Sequence, residues 1–191
     1  MKILIIDCFD SFTYNLYHML ENVNDSAPEV LRVDACSISD VDEADGIVFS
    51  PGPGLPAEFM NLSALVNHAC RRKPVLGICL GHQAIAEQFG GRLYRQEKPF
   101  HGVARKAFIK KQVPLFESIS ETFDAGSYHS WSVDFNSVSE EFEATAVDES
   151  RGLLAMQHKN LPIWSMQFHP ESVLTPSGEI MLRNWVRYFK S

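Results

Sequence analysis

A cysteine framed by two glycines is the residue of this chain best placed to do chemistry. It lies in the stretch Val75-Leu76-Gly77-Ile78-Cys79-Leu80-Gly81-His82-Gln83. The run from Val75 to Ile78 is apolar throughout and reads as a buried strand, while Ala84 to Phe89 has helical character. Strand, sharp turn and helix form the setting in which Gly-x-Ser-x-Gly exposes a nucleophile, and here a thiol stands in the serine's place. Gly77 and Gly81 leave no side chain where strand and helix would collide, and glycine tolerates the strained backbone that the turn needs. At the helix N-terminus, the dipole and the unpaired N–H groups favour an anionic sulfur on Cys79. The N–H of Leu80 would face the oxyanion formed when that sulfur attacks a carbonyl. An ordinary free cysteine is a small buried hydrophobe, but the glycine frame and the strand-to-helix setting weigh against that reading.

A thiol nucleophile needs a base, and the stretch Trp164-Ser165-Met166-Gln167-Phe168-His169-Pro170-Glu171-Ser172 supplies one. A histidine can hold a cysteine as an ion pair, and a carboxylate can fix the imidazole tautomer. Residues i and i+2 of an extended chain point to the same side, and Pro170 keeps His169 extended. Glu171 can therefore reach His169 from the same segment. A lone His-x-Glu is weak evidence; paired with the glycine-framed cysteine it becomes strong.

Positioning these groups requires a sheet. Ile3–Ile6, Gly46–Phe49 and Val75–Ile78 are continuous apolar runs of the kind found in parallel sheets covered on both faces. Ser11 is the expected N-cap of a helix to about Val23, with Phe12, Leu16, Met19 and Leu20 inward. Asp7 and Asp10 follow the first strand and are assigned turn, cap or partner-facing duties rather than chemistry. Glu29–Val33 reads as a strand, and Ser37–Ala44 as a polar connection with about one helical turn. Ser50-Pro51-Gly52-Pro53-Gly54 is a rigid loop whose backbone can approach a ligand closely. Glu58–Arg72 reads as a helix burying Leu62, Leu65, Val66 and Ala69, and Gly90-Gly91 ends the helix after Cys79. From Arg92 onward the pattern changes to short alternating strands. There, Arg105, Lys106, Lys110 and Lys111 read as a solvated basic face. Ala144–Val147 and Leu153–His158 are further strands, and Ser177 is placed to cap a last helix to Phe189. Strands alternating with helices predict an open, doubly wound, mostly parallel α/β sheet flanked by helices, in a single domain over residues 1–191. His82 and His129 are read as structural, and His101 as a surface histidine.

The 191 residues are 45% hydrophobic and 21% charged, with a formal net charge of −7. That balance is ordinary for a globular chain and argues against a nucleic-acid binder, which would show a basic patch. No stretch approaches the roughly 18 apolar residues of a membrane span, and the opening apolar run meets Asp7 too soon for a signal peptide. A cytoplasmic protein is expected. Cys8, Cys36, Cys70 and Cys79 have no Cys-x-x-Cys spacing, so free thiols are expected, three of them packing residues.

Four separated motifs carry a family resemblance: Ser50-Pro51-Gly52-Pro53-Gly54, Gly77-Ile78-Cys79-Leu80-Gly81-His82-Gln83, Tyr128-His129-Ser130 and Gln167-Phe168-His169-Pro170-Glu171-Ser172. In order and spacing the chain resembles the class I (triad) glutamine amidotransferases, whose sheet is flavodoxin-like. The segment Asp10-Ser11-Phe12-Thr13-Tyr14-Asn15-Leu16 resembles the small subunit of the chorismate-utilising synthases. The resemblance implies a Cys79–His169–Glu171 triad acting on L-glutamine through a γ-glutamyl thioester. It implies an oxyanion hole from the N–H groups of Gly54 and Leu80. It also implies a substrate pocket from Gly52, Pro53, Gly54, Gln83, Ser130 and Trp131, the last two binding the amino acid's α-amino and carboxylate groups through their backbone.

The family also implies a separate chorismate-binding aminase subunit that receives the ammonia. No metal or organic cofactor is implied for this chain, since metal and chorismate would belong to the aminase. The product branch is anthranilate or aminodeoxychorismate, and the Leu16-Tyr17-His18 context and Trp131 lean toward the latter. Three departures stand out: Cys8 where family members carry asparagine, Trp131 where most carry an aliphatic residue, and Ala57-Glu58-Phe59-Met60 in place of an acidic-Ala-Gly segment. Two other readings compete. One is a stand-alone cysteine hydrolase of γ-glutamyl or peptide substrates, against which Gln83 and Ser130 argue. The other is a non-catalytic regulatory subunit, against which three filled triad positions argue.

Overall fold

The structure is a computed structural model, and residues 1–190 are described. Strands β1 (Ile3–Asp7), β2 (Glu29–Arg32), β3 (Gly46–Phe49), β4 (Val75–Ile78) and β11 (Ile163–Met166) pair in parallel in the order β2-β1-β3-β4-β11. The sheet continues antiparallel through β10 (Leu153–His158), β9 (Phe142–Asp148), β6 (Val103–Ile109) and β7 (Thr122–Ser127), nine strands in all. A separate two-stranded ribbon joins β5 (Arg92–Arg95) to β8 (Trp131–Asp134).

The apolar strands of the parallel half show no polar face because both faces are covered. Ile3, Ile5, Val48, Leu76 and Ile78 pack on α1 (Thr13–Val23) and α5 (Gly178–Lys190), through Leu16, Leu20, Met181, Leu182 and Trp185. Leu4, Ile6, Ile47, Phe49 and Val75 face the other way. They pack on α2 (Ile38–Glu43), α3 (Leu62–Cys70) and α4 (Leu80–Gln88), through Val41, Leu62, Leu65, Val66 and Ile85. Successive residues of a strand point to opposite faces, so one run of Val, Ile and Leu serves two cores.

Several boundaries differ from the sequence expectation, each for a polar reason. Ser11 is exposed and does not cap α1, which begins at Thr13 with Phe12 before it. The turn is organised by Asp7 instead. Its Oδ1 accepts from the N–H groups of Phe9 (2.9 Å) and Asp10 (3.3 Å) and from the Thr13 hydroxyl (2.7 Å). The structural duty expected of Asp7 is thus visible. Residues 37–44 hold a real helix, α2, because Ser37 and Asp40 form a reciprocal capping box. The helix expected from Glu58 starts only at Leu62. Pro56–Glu58 forms a separate 3-10 turn in which Glu58 accepts the Leu55 N–H at 2.9 Å. Nor is the basic run a solvated face throughout. Arg105 stacks over Phe100 at 4.0 Å and pairs with Asp148, because alternation along β6 turns it away from solvent.

Strand β4 and helix α4 cross with almost no clearance. A methyl on Gly77 would strike the backbone carbonyl of Gly81, and one on Gly81 would strike the backbone of Phe49 in β3. Backbone cannot rotate aside as a side chain can. Overpacking of this kind costs about 1–3 kcal/mol, so Gly81→Ala is expected to lower the unfolding free energy by about that amount in urea titrations.

Candidate active site

The carboxyl ends of β1, β3, β4 and β11 meet at one edge of the sheet, the place where open α/β sheets hold ligands. Cys79 occupies the single step between β4 and α4, with φ 51° and ψ −99°. A non-glycine residue at positive φ is strained. The sequence placed that strain on the flanking glycines, but the structure puts it on the cysteine itself. Gly77 and Gly81 supply clearance instead. The turn is held by the Cys79 N–H donating to the Met166 carbonyl (2.8 Å) and by the Gln83 N–H donating to the Cys79 carbonyl (3.1 Å).

Beside it, β11 runs parallel to β4 in a register that pairs Gly77 with Ser165 and Ile78 with Met166. The residues leaving β11 therefore continue alongside Cys79. His169 and Glu171 are both buried, and Nδ1 of His169 lies 2.7 Å from Oε1 of Glu171. The histidine backbone is fixed at both ends: its N–H donates to Gly126 O (2.9 Å), and Thr175 Oγ1 donates to its carbonyl (2.7 Å). Phe12 and Tyr128 set their rings against the imidazole at 5.7 and 4.9 Å between centroids. Glu171 thus leaves Nε2 as the imidazole atom free for Cys79; it is buried and makes no other hydrogen bond.

A cavity of about 240 Å³ opens at this point, lined by Gly52, Pro53, Gly54, Cys79, Gln83, Tyr128, His129, Ser130 and Trp131. Gly52, Pro53, Gly54, Gln83, Ser130 and Trp131, the residues expected around a substrate, are all brought together in its lining. Gly54 is at positive φ, 69°, where glycine alone is unstrained. The side chain of Leu80 is buried against Gly52 and does not line the cavity. Its N–H, at the first residue of α4, has no partner within that helix. Gln83 donates to the Trp131 carbonyl at 2.9 Å, and His129 Nδ1 is 2.9 Å from that same oxygen. The peptide at Trp131 is therefore held before any ligand arrives.

Three residues of the site escaped the sequence reading. Tyr128 lines the cavity, shields His169 and lies 2.9 Å from Ser172 Oγ through its hydroxyl. Phe12, assigned to the core, touches His169 and Tyr128 instead. Gln167, fully buried, lies next to Cys79. The available signal was its spacing, two residues before His169 in an otherwise apolar strand exit. Cys8 is a packing residue behind the proline–glycine loop: a methyl on Gly52 would meet its carbonyl and Cβ at 2.7 and 2.8 Å.

The electrostatics separate the histidines. Burial alone would pull His169 down, but the charge of the Cys79 sulfur and the Glu171 carboxylate outweigh it. The imidazolium is held well above the usual histidine value. His82 and His129 go the other way. Burial, reinforced by repulsion from His129, pushes His82 down to about 3, and burial brings His129 to about 4 against the hydrogen bond to Trp131. Both stay neutral, and of the two His129 lines the cavity. Burial likewise pushes the Cys8 and Cys70 thiols up to about 12. Among the described residues no cluster of three His, Cys, Asp or Glu side chains is arranged to hold a metal ion, and no helix is long and apolar enough to cross a membrane.

Comparison with known proteins agrees with this geometry. The family model for glutamine amidotransferase class-I matches residues 4–188. Anthranilate synthase component 2 of Mycobacterium tuberculosis is 38% identical, over 97% of this chain and 82% of that protein. The aminodeoxychorismate/anthranilate synthase component 2 of Bacillus subtilis is 36% identical, over 98% and 97%. The aminodeoxychorismate synthase of Streptomyces griseus is 40% identical over 97% of this chain, which spans only 26% of that longer protein. Among solved structures, a glutamine amidotransferase of Thermotoga maritima shares the fold with a TM-score of 0.80 at 14% identity, covering 99% and 97% of the two chains.

The two kinds of histidine predict opposite pH behaviour. His169 titrates higher folded than unfolded, so its contribution is full below the unfolded value of about 6.5 and is lost as pH rises through the folded value. NMR titration of its ring is expected to give a midpoint well above that of a free imidazole, and Glu171→Gln is expected to lower it. His82 and His129 titrate lower when folded. Their contribution is full above about 6.5 and is lost as pH falls toward their folded values of about 3 and 4. Unfolding free energies measured across that range are expected to fall, and His82→Gln is expected to flatten the fall.

Proposed function

The chain belongs to the class I glutamine amidotransferases, and on that premise we propose that it hydrolyses the side-chain amide of L-glutamine and delivers the ammonia to a chorismate-utilising synthase subunit. The observation that carries the reading is Cys79, on its strained turn in the wall of one small cavity, acting electrostatically on a buried His169–Glu171 pair.

In this reading, glutamine enters with its α-amino and carboxylate groups against the backbone of Ser130 and Trp131, and Gln83 and Gly52–Gly54 close the remaining sides. The Cys79 sulfur attacks the amide carbon. Its carbonyl oxygen becomes an oxyanion held by the N–H groups of Leu80 and Gly54. His169, protonated and oriented by Glu171, gives its proton to the departing nitrogen as the C–N bond breaks, leaving a γ-glutamyl thioester and ammonia. Water then attacks the thioester with His169 taking its proton, the C–S bond breaks, and glutamate leaves. The positive φ at Cys79 holds the sulfur clear of both strand and helix, where a substrate carbon can reach it.

Ammonia released into neutral water is protonated and lost as a nucleophile, so its delivery calls for a docked aminase. The relatives described as component 2 of anthranilate and aminodeoxychorismate synthases support such a partner. Of the two branches we favour aminodeoxychorismate, on the Leu16-Tyr17-His18 context and Trp131.

The test is direct. Cys79→Ser is expected to abolish glutamine-dependent synthesis while leaving the partner's ammonia-dependent synthesis intact, and a serine variant that still turned over glutamine would overturn the reading. Assay of the complex captured from its own cell extract, with chorismate and glutamine, identifies the branch. Fluorescent anthranilate marks one, and 4-aminobenzoate formed after added lyase marks the other.

A further inference from the structure

We propose that Gln167 is a positioning residue for the nucleophile, presenting a side-chain N–H to the Cys79 sulfur from the end of a hydrogen-bonded chain anchored on the Trp131 carbonyl. The proposal rests on the reading of Cys79 as the attacking group.

The geometry follows from the sheet. In the β4–β11 register, the position after Ile78 lies beside the position after Met166, which brings Cys79 alongside Gln167. The Gln167 side chain is wholly buried, with Nε2 3.7 Å from the Cys79 sulfur. Its other end, Oε1, lies 3.3 Å from Nε2 of Gln83.

Polarity along the chain is forced from its far end. The Trp131 carbonyl can only accept, so the Gln83 atom facing it at 2.9 Å must be the NH2 nitrogen. That nitrogen carries a second hydrogen, and the Gln167 atom facing it must then be the oxygen. This leaves the Gln167 NH2 group directed at sulfur. One backbone carbonyl in the wall of the cavity thereby fixes the orientation of two amides and determines that Cys79 meets a donor rather than an acceptor.

A donor there favours the anionic sulfur over its neutral form, because hydrogen bonds to charged acceptors are the stronger ones and solvent does not compete inside the protein. It also pins the sulfur on the side of the strained turn that faces His169. The same bond weakens once the sulfur is acylated, so it raises the fraction of thiolate available for attack and assists the departure of the thiolate from the thioester. Since the anchor lies in the pocket wall, any movement of the Trp131 peptide is transmitted to the sulfur through two amides.

Gln167→Met keeps the volume and removes the donor, while Gln167→Glu turns an acceptor toward the sulfur. Iodoacetamide labelling of the peptide containing Cys79, followed by mass spectrometry across pH, is expected to move to higher pH in Gln167→Met and further in Gln167→Glu. Glutaminase kcat is expected to fall about tenfold or more, the factor that about 1.4 kcal/mol of lost stabilisation gives, with a smaller change in KM. A purely structural role would lower the melting temperature and leave the labelling profile in place, and that result overturns the proposal.

A measurement on the unaltered chain covers variants that fail to fold. The side-chain amide NMR signal of Gln167 is expected to shift as Cys79 is alkylated, and to titrate with the same midpoint as the labelling. An amide signal indifferent to both would also overturn the proposal. If Cys79→Ser still hydrolyses glutamine, the nucleophile reading fails. If Cys79→Ser is inactive while the Gln167→Met profile stays in place, only the role of Gln167 fails.

Discussion

The parallel pairing of β4 with β11 is the constraint on which the site depends. Met166 accepts the N–H of Cys79, so the turn that carries the cysteine is tied to the strand that carries the histidine. The pairing offsets residue numbers by 88, which sets Gln167 beside Cys79 and sends His169 and Glu171 onward at the same edge. A slip of one residue would turn the side chains leaving β11 to the opposite face of the sheet. Such a slip is costly, because Trp164 and Met166 serve one core while Ile163 serves the other. The register that packs the molecule is also the register that sets the residues leaving β11 beside Cys79.

Around that pairing the strain and the charge are confined. The positive φ of Cys79 is sustained by a helix and a strand that touch backbone to backbone through Gly77 and Gly81. Of the buried histidines at the site, only His169 has an anionic partner, Glu171, and burial keeps His82 and His129 uncharged. Their neutrality matters chemically. A charged imidazole at His129 would repel the His169 imidazolium in a region where solvent screens little. The wall instead supplies neutral groups, Gln83 donating to the Trp131 carbonyl and His129 Nδ1 lying 2.9 Å from it.

Much of the site was legible because its chemistry needs particular residue types in short spacings. A glycine-framed cysteine after an apolar strand, and a His-Pro-Glu on an extended segment, are local patterns, and local geometry decides whether each can work. The proline–glycine loop was likewise recognisable, since alternating Pro and Gly permit few backbone paths. Helix starts were less legible. The competition between Ser11 and Asp7 for the α1 turn, and the capture of Glu58 by the Leu55 N–H, turn on which side chain reaches a particular donor.

Periodicity and motif spacing are properties of neighbouring residues, so the alternating α/β architecture, the buried strands of the parallel half and the candidate cysteine, histidine and glutamate could be read from the chain alone. What lies between the motifs came from the packed fold. Phe12, from the start of the chain, and Tyr128, just after β7, both set their rings against His169 from more than 40 residues earlier in the chain. Arg105 leaves solvent for Phe100 and Asp148, and Gln167 turns its amide to sulfur because a carbonyl 36 residues earlier fixes Gln83 first. Contacts of this kind depend on strand order and register, which arise from the packing of the whole sheet and leave no local trace in the chain.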